Sequence, residues 1–177
     1  MKDAIDEVRK GDVHVVIWTE THFEQKHSIE FEKIAQERGY NTYSITRFMK
    51  RYDTGSGGVT IMVDKQYNTR EIRRSKFEDL IWVQVEVGRE KMFVGGLYLV
   101  PASSTREWKA REIIGEIGKD IARFTQEGHV VLAGDWNCKI GRLASIAGGR
   151  EFDRRNTSHR ADTRGRQVVE MMIEAIW

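Results

Sequence analysis

Residues 129–137 read His-Val-Val-Leu-Ala-Gly-Asp-Trp-Asn. The run Val130–Ala133 is short, apolar and rich in β-branched residues, which is typical of a buried central strand. The run stops at Gly134, and Asp135 and Asn137 follow at the C-terminal end of the predicted strand. Open α/β sheets place their chemistry at this end of their strands. Asp and Asn also favour turns, so a plain turn without chemistry is equally compatible with this pattern.

A second predicted strand ends in the same way. Val13–Trp18 is another apolar run, and it leads directly into the polar segment Thr19–His22. If the two strands lie near each other in a sheet, the carboxylates of Glu20 and Asp135 converge on one edge. Hard oxygen ligands of this kind suit Mg²⁺ or Mn²⁺. Zinc is less suited to this pattern, because its sites use more His and Cys.

Four segments resemble, in the same order, the motifs of a known family. Trp18–His22 resembles a Q-E-T-H motif, and Gly57–Ile61 resembles a G-G-V-A-I strand. Gly96–Pro101 resembles an N-V-Y-A-P strand, and Gly134–Asn137 resembles a G-D-F-N motif. The family is the endonuclease/exonuclease/phosphatase superfamily, the metal-dependent phosphodiesterases related to pancreatic deoxyribonuclease.

The sequence is most similar to one branch of this family, the endonuclease domains of non-LTR retrotransposon reverse transcriptases. Two features carry this similarity: the variant Asp-Trp-Asn at residues 135–137, and Arg164–Val169, which resembles an N-x-x-G-R-x-L segment. The resemblance implies a DNase I-like fold, a four-layered α/β (α+β) sandwich of two packed β-sheets flanked by helices. It covers nearly the whole chain, so residues 1–177 are interpreted as a single partial domain.

The resemblance also implies an activity and a role for each site residue. The activity is divalent-metal-dependent hydrolysis of a phosphodiester, with Mg²⁺ or Mn²⁺ as the cofactor and DNA as the substrate. Glu20 binds the metal, and Asp135 orients or deprotonates the attacking water. Asn137 donates a hydrogen bond to the phosphate, and Tyr98 positions the same group. The expected product is a nick whose 3′-hydroxyl primes reverse transcription.

Some family motifs have no counterpart in this sequence. Family members begin with a strand that carries a metal-binding Asn, and they end with an Asp strand and a Ser-Asp-His motif. We therefore expect a domain that is incomplete at both termini and has little hydrolytic activity. Incomplete sheets expose unpaired edges, so association through those edges is also expected. Two alternative functions remain open: a small-molecule phosphoesterase of the same superfamily, and an inactive nucleic-acid-binding remnant.

A basic segment follows the Asp135 motif, although the formal net charge of the whole chain is only +2. Loop-borne arginines beside a phosphodiesterase site would hold a nucleic-acid backbone without sequence preference. A solvated loop without a binding role is the alternative. The predicted DNA-contacting residues are Arg142, Arg150, Arg154, Arg155 and Arg160.

The composition of the chain is that of a globular domain, and its periodicity predicts several helices and strands. A content of 40% hydrophobic and 32% charged residues is ordinary for a globular domain. The single cysteine, Cys138, excludes an intramolecular disulfide. Without a signal peptide or a membrane-spanning apolar run, an intracellular location, nuclear or cytoplasmic, is expected. The predicted helices are Asp3–Arg9, Ser28–Arg38 and a long helix that a capping box of Ser104 and Glu107 opens and that ends near Gln126. The other predicted strands are Tyr40–Phe48, Val59–Val63, Thr69–Arg74, Leu80–Val87 and Met92–Val100, the last three as an antiparallel set.

Overall fold

The computed structural model describes residues 2–45, 57–76, 80–104, 107–141, 146–147, 150–151 and 160–176. The helices are α1 (Lys2–Lys10), α2 (Gln25–Glu37), α3 (Glu107–Phe124) and α4 (Thr163–Ile176). The strands are β1 (Val15–Thr19), β2 (Tyr40–Ile45), β3 (Val59–Asp64), β4 (Asn68–Arg74), β5 (Leu80–Val87), β6 (Glu90–Tyr98), β7 (His129–Asp135), β8 (Ile146–Ala147) and β9 (Arg150–Glu151). The chain divides into two compact units, residues 1–99 with 124–136, and residues 100–123 with 137–177. The interpretation of residues 1–177 as one domain stays a prediction.

The first unit contains a three-stranded antiparallel sheet, sheet A, with the strand order β1-β3-β2. Helices α1 and α2 cover one face of this sheet. Ile5 of α1 and Phe31 of α2 are fully buried there with Tyr40 and Met62 of the sheet. The burial of apolar area across this face stabilises the helices, which are too short to be stable alone in water.

The first unit also contains a four-stranded sheet, sheet B, with the order β4-β5-β6-β7. Strands β4, β5 and β6 are antiparallel, as predicted, and β5 and β6 form a hairpin around Gly88, whose φ is +64°. Strand β7 pairs with β6 in parallel. A parallel neighbour requires a long connection, and the connection between β6 and β7 contains α3.

Sheets A and B pack face to face, and a glycine allows their close approach. A Cβ atom added to Gly96 of β6 would lie 2.8 Å from the side chain of Val59 and 3.2 Å from that of Ile17, both in sheet A. The preceding residue, Gly95, faces the opposite side of sheet B, where an added Cβ would lie 2.6 Å from the ring of Trp82. Adjacent glycines in β6 therefore leave room on both faces of sheet B.

Polar contacts align the two sheets along their strands. The Thr69 hydroxyl, near the start of β4, accepts a hydrogen bond of 3.1 Å from the Asn41 side chain, near the start of β2. At the other end of the same strands, the Arg74 guanidinium donates to the Ser44 carbonyl at 3.0 Å. Strands β2 and β4 therefore run in the same direction, although they belong to different sheets.

A buried carboxylate ties α1 to sheet A. Asp64, at the end of β3, accepts hydrogen bonds from the Arg9 guanidinium and from the backbone N–H of Gln66. Burial alone raises the pKa of the Asp64 carboxyl, but the two hydrogen bonds hold it below its ordinary value of 3.8.

This lowered pKa predicts a pH-dependent contribution to stability. The folded-state pKa of Asp64 is below the unfolded one, so its stabilisation is present at neutral pH and is lost as the pH falls below about 4. We expect Asp64→Asn to be less stable than the wild type at pH 7 and closer to it at pH 3. Urea unfolding at both pH values tests this. An equal deficit at both pH values would contradict it.

Strand β7 differs from its prediction as a buried central strand. It is the last strand of sheet B among the described residues, and Val131 is 44% exposed. Along β7, residues of intermediate burial alternate with exposed ones between His129 and Ala133, as in a strand with one solvated face. An apolar run by itself does not distinguish these two environments. Association through exposed sheet edges, which this position favours, stays a prediction.

The second unit is built around α3 and α4. An added Cβ on Gly118 of α3 would lie 3.1 Å from Met171 of α4, so the two helices approach closely at this point. A single antiparallel bridge joins Ile140 to Ala161, and β8 pairs with β9. In the part of the chain that the structure describes, no helix is long and apolar enough to cross a membrane.

Candidate functional site

The strands that carry the predicted site residues all run in one direction. Strands β1 and β2 are each antiparallel to β3, and β4 and β6 are each antiparallel to β5. Strand β7 is parallel to β6, and the contacts of Asn41 and Arg74 make β2 and β4 parallel. The C-terminal ends of β1, β2, β4, β6 and β7 therefore lie on one side of the first unit. We call this side the strand-end rim.

Three of the predicted site residues lie on the strand-end rim. Glu20 directly follows β1, Tyr98 is the last residue of β6, and Asp135 is the last residue of β7. Tyr98 and Asp135 are opposite each other in the parallel pairing of β6 with β7. The backbone N–H of Leu99 donates to the Asp135 carbonyl at 2.8 Å, so the pairing continues to the end of β7.

The three residues differ in their access to solvent. Glu20 is exposed to solvent, and Asp135 is half-buried. Tyr98 is only 1% exposed. A direct hydrogen bond from its hydroxyl to a substrate phosphate would therefore require its surroundings to open. The roles predicted for all three residues stay predictions.

The backbone beside the rim carries local strain. Glu20 has φ +53° and His22 has φ +49°, in the left-handed region that side chains with a Cβ rarely adopt. The backbone N–H of His22 donates to the Gly57 carbonyl at 3.1 Å, which helps to hold this conformation. Left-handed residues other than glycine are found preferentially at functional sites. The strain at Glu20 therefore favours a functional role for this turn.

Glycine substitutions can measure this strain. We expect Glu20→Gly and His22→Gly each to raise the free energy of unfolding by about 0.5–1 kcal/mol, because glycine adopts positive φ at little cost. Glu30→Gly, at an exposed position inside α2, is the matched control and should lower stability by about 1 kcal/mol. Urea unfolding of the three variants measures these changes. If the two turn variants were destabilised as much as the control, the turn would not be strained.

Asn137 belongs to the second compact unit. It also has a left-handed backbone, with φ +43°, which Asn tolerates better than most residues. Its carbonyl accepts a hydrogen bond of 3.1 Å from the Arg164 guanidinium. The segment that contains Asn137 is therefore held from α4.

The oxygen ligands at the rim suit a magnesium ion. Among the described residues, no three His, Cys, Asp or Glu side chains form a group that could hold a metal by themselves. Mg²⁺ commonly binds through one or two carboxylates, with waters and substrate phosphates completing its shell. The carboxylates of Glu20 and Asp135 are donors of the type that Mg²⁺ and Mn²⁺ prefer.

The predicted DNA-contacting arginines are only partly described. Arg142, Arg154 and Arg155 lie outside the described residues, and the backbone of Arg150 forms part of β9. Arg160 is exposed and precedes the bridge residue Ala161.

Two basic residues of the strand-end rim were missed by the sequence analysis. Arg74 ends β4 and Lys76 follows it, and both are exposed. The sequence shows only that residues 73–76 are rich in positive charge. That these residues lie on the rim follows from the alignment of the two sheets, which the sequence does not reveal.

Neither a protein-family model nor a curated protein matches this sequence. Solved structures do match its fold. The endonuclease domain of TRAS1, a telomere-specific non-LTR retrotransposon, is 15% identical with a TM-score of 0.60, covering 98% of this chain and 63% of that one. Truncated Caenorhabditis elegans TDP2 is 14% identical with a TM-score of 0.58, covering 84% and 59%. The human nocturnin catalytic domain is 12% identical with a TM-score of 0.56, covering 77% and 56%.

These structures share the DNase I-like endonuclease/exonuclease/phosphatase fold, so this chain has that fold, as the motif resemblance predicted. The chain spans about 56% to 63% of the length of these structures.

Proposed function

We propose that this chain is part of a divalent-metal-dependent phosphodiester hydrolase, and specifically of a DNA-nicking endonuclease encoded by a retroelement. The observation that carries the proposal is the placement of Glu20 and Asp135 on the strand-end rim. The fold similarity to the TRAS1 endonuclease domain, over 98% of the chain, supports this reading. The motif pattern Asp-Trp-Asn at residues 135–137 supports the retroelement assignment.

In this proposal each residue has a role that its chemistry allows. The Asp135 carboxylate orients the attacking water and accepts its proton, which requires a carboxylate within hydrogen-bond reach. The Asn137 amide donates to the phosphate and stabilises the charge that develops there. Tyr98 positions the same phosphate once its hydroxyl is accessible. Glu20 is the proposed metal ligand, and a bound Mg²⁺ would supply Lewis-acid stabilisation of the phosphoryl oxygens and the leaving group.

DNA is the proposed substrate because the candidate residues are accompanied by basic side chains. Lys76 follows β4 on the rim and Arg160 is exposed in the second unit, whereas Arg74 already pairs with Glu71 at 2.9 Å. Cationic groups of this kind hold a phosphate backbone through salt-sensitive contacts. A structure that shares the fold, Danio rerio TDP2, is described in complex with a single-strand DNA product, at 14% identity and a TM-score of 0.57.

A nicking assay tests the proposal. Supercoiled plasmid is incubated with the 177-residue chain, and with any longer polypeptide that carries it, in Mg²⁺, in Mn²⁺ and in EDTA. We expect slow metal-dependent nicking, with nicks whose 3′ ends a polymerase extends without further treatment.

Parallel assays with small phosphoesters and a DNA-binding measurement separate the alternatives. Hydrolysis of small phosphoesters without nicking would support a small-molecule phosphoesterase. Salt-dependent DNA binding without any hydrolysis would support an inactive nucleic-acid-binding remnant. Either of these results would overturn the proposed endonuclease activity.

A further inference from the structure

We infer that Arg164 is a positioning residue, which holds the backbone of Asn137 so that its side chain amide points correctly at the substrate. The inference rests on the proposed function, because it gives Arg164 a role only through Asn137. Arg164 is one of the few charged residues buried among the described part of the chain, with 5% of its surface exposed. Burial of an arginine costs free energy unless its donors are satisfied.

The guanidinium of Arg164 joins two chain segments. Its Nη1 atom donates to the Val100 carbonyl at 2.6 Å and to the Asn137 carbonyl at 3.1 Å. In sequence, Val100 comes two residues after β6, and Asn137 comes two residues after β7. Arg164 therefore bonds to both segments that continue from the strands carrying Tyr98 and Asp135.

An ion pair does not explain why the Arg164 guanidinium is buried at this position. Its ion-pair partner is Glu107, whose Oε1 atom lies 4.0 Å from Nη2, too far for a hydrogen bond. The buried Nη2 atom has no hydrogen-bond partner among the described residues. Within the described part of the chain, the guanidinium therefore makes its short contacts only with the backbone carbonyls of Val100 and Asn137. These two hydrogen bonds hold the two carbonyl groups in place.

Neighbours of Arg164 hold the next part of the same segment. The Asp162 carboxylate accepts hydrogen bonds from the N–H of Lys139, at 2.9 Å, and from the N–H of Gly165, at 2.7 Å. A Cβ on Gly165 would lie 2.1 Å from the Lys139 carbonyl oxygen, so only glycine allows this approach. Residues 162–165 therefore support the backbone of residues 137–139, and Arg164 provides the contact to Asn137 itself.

The test compares Arg164→Lys and Arg164→Ala with Arg166→Ala, an exposed arginine two residues further along α4. Misplacement of a catalytic group by about 1 Å can cost about 100-fold in rate. We expect kcat for nicking to fall by about 10- to 100-fold in both Arg164 variants, with KM changed by less than about twofold. Arg166→Ala should keep the wild-type kcat.

Chemical rescue distinguishes positioning from a general role in folding. Free guanidinium ion at low millimolar concentration should restore at least part of kcat in Arg164→Ala, whereas it should not affect Arg166→Ala. If Arg164→Ala does not fold, Arg164→Lys carries the test through its kcat and KM. An unchanged kcat in folded Arg164 variants, or a loss that only follows the folded fraction, would overturn the inference.

A readout without catalysis separates this inference from the proposed function. In NMR spectra, the side-chain amide of Asn137 should shift or broaden in Arg164→Ala and not in Arg166→Ala. Unchanged Asn137 resonances would overturn the positioning role even in an active enzyme. Changed resonances in a wild-type chain that does not nick DNA would support the positioning role while the proposed endonuclease activity fails.

Discussion

We expect Asp135→Asn to lower the rate of metal-dependent DNA nicking by about 10²- to 10⁴-fold, the range typical of a lost general base. The amide is similar in size to the carboxylate but does not accept the proton of the attacking water at neutral pH. The loss should fall on kcat, because the basic residues that hold the DNA backbone are unchanged. Single-turnover nicking and fluorescence anisotropy with labelled DNA measure the chemical step and the binding separately.

A carboxylate at the opposite end of sheet B provides the matched control. Glu90 is the first residue of β6, whereas Tyr98, the last residue of that strand, lies on the strand-end rim. The Glu90 side chain is 72% exposed and pairs with His129. Glu90→Gln removes the same charge and should leave the nicking rate within about twofold, as expected for an exposed pair. Equal losses in the two variants would assign the effect to net charge and not to Asp135.

The largest effect on folding is expected for Gly134→Ala. Gly134 has φ +147°, and an added Cβ would lie 1.9 Å from the Leu97 carbonyl oxygen. A backbone oxygen at this distance can move away only if β6 and β7 separate, because the two residues are opposite each other in the sheet. We expect the free energy of unfolding to fall by at least about 3 kcal/mol. Urea unfolding followed by circular dichroism measures the change.

Gly115→Ala is the matched control for this substitution. Gly115 lies inside α3, where an added Cβ has no neighbour within 4 Å. Alanine at this position should stabilise the chain by about 0.5–1 kcal/mol through its higher helix propensity. If Gly134→Ala were as stable as Gly115→Ala, the close approach of β6 and β7 at Leu97 would be wrong.

The secondary structure of the described residues was largely predictable from local patterns. The strand predicted at Leu80–Val87 has the observed bounds of β5. The long helix predicted to open at the Ser104–Glu107 capping box and to end near Gln126 is observed from Glu107 to Phe124, and residues 105–106 lie outside the described part. The helix predicted to begin at Ser28 starts three residues earlier, at Gln25. The strand predicted as Tyr40–Phe48 is observed to Ile45, and residues 46–48 lie outside the described part. Periodicity and turn residues are local signals, which locate elements better than their ends.

The fold itself was predicted by the order of four short motifs, and the solved structures confirm it. The environment of β7 was not predicted correctly. The same apolar residues suit a central strand and a half-exposed strand, and the difference depends on which strands pair with it. Local sequence patterns also did not predict where Arg74, Lys76 and Arg164 lie in the fold. Arg164 was only part of a motif, whereas the structure shows it buried against two carbonyls.

Local sequence therefore specifies that Glu20 and Asp135 stand where strands end, because alternation and turn signals act over a few residues. The end of β6 at Tyr98 was not specified in this way, since the predicted strand continued to Val100. The meeting of those strand ends on one rim depends on strand order, on the direction of β7 beside β6 and on the alignment of the two sheets. These properties arise from contacts between residues far apart in the chain, such as Asn41 with Thr69 and Arg74 with Ser44. Only the tertiary structure determines them, because each contact joins residues that are distant in sequence and that only the folded chain brings together.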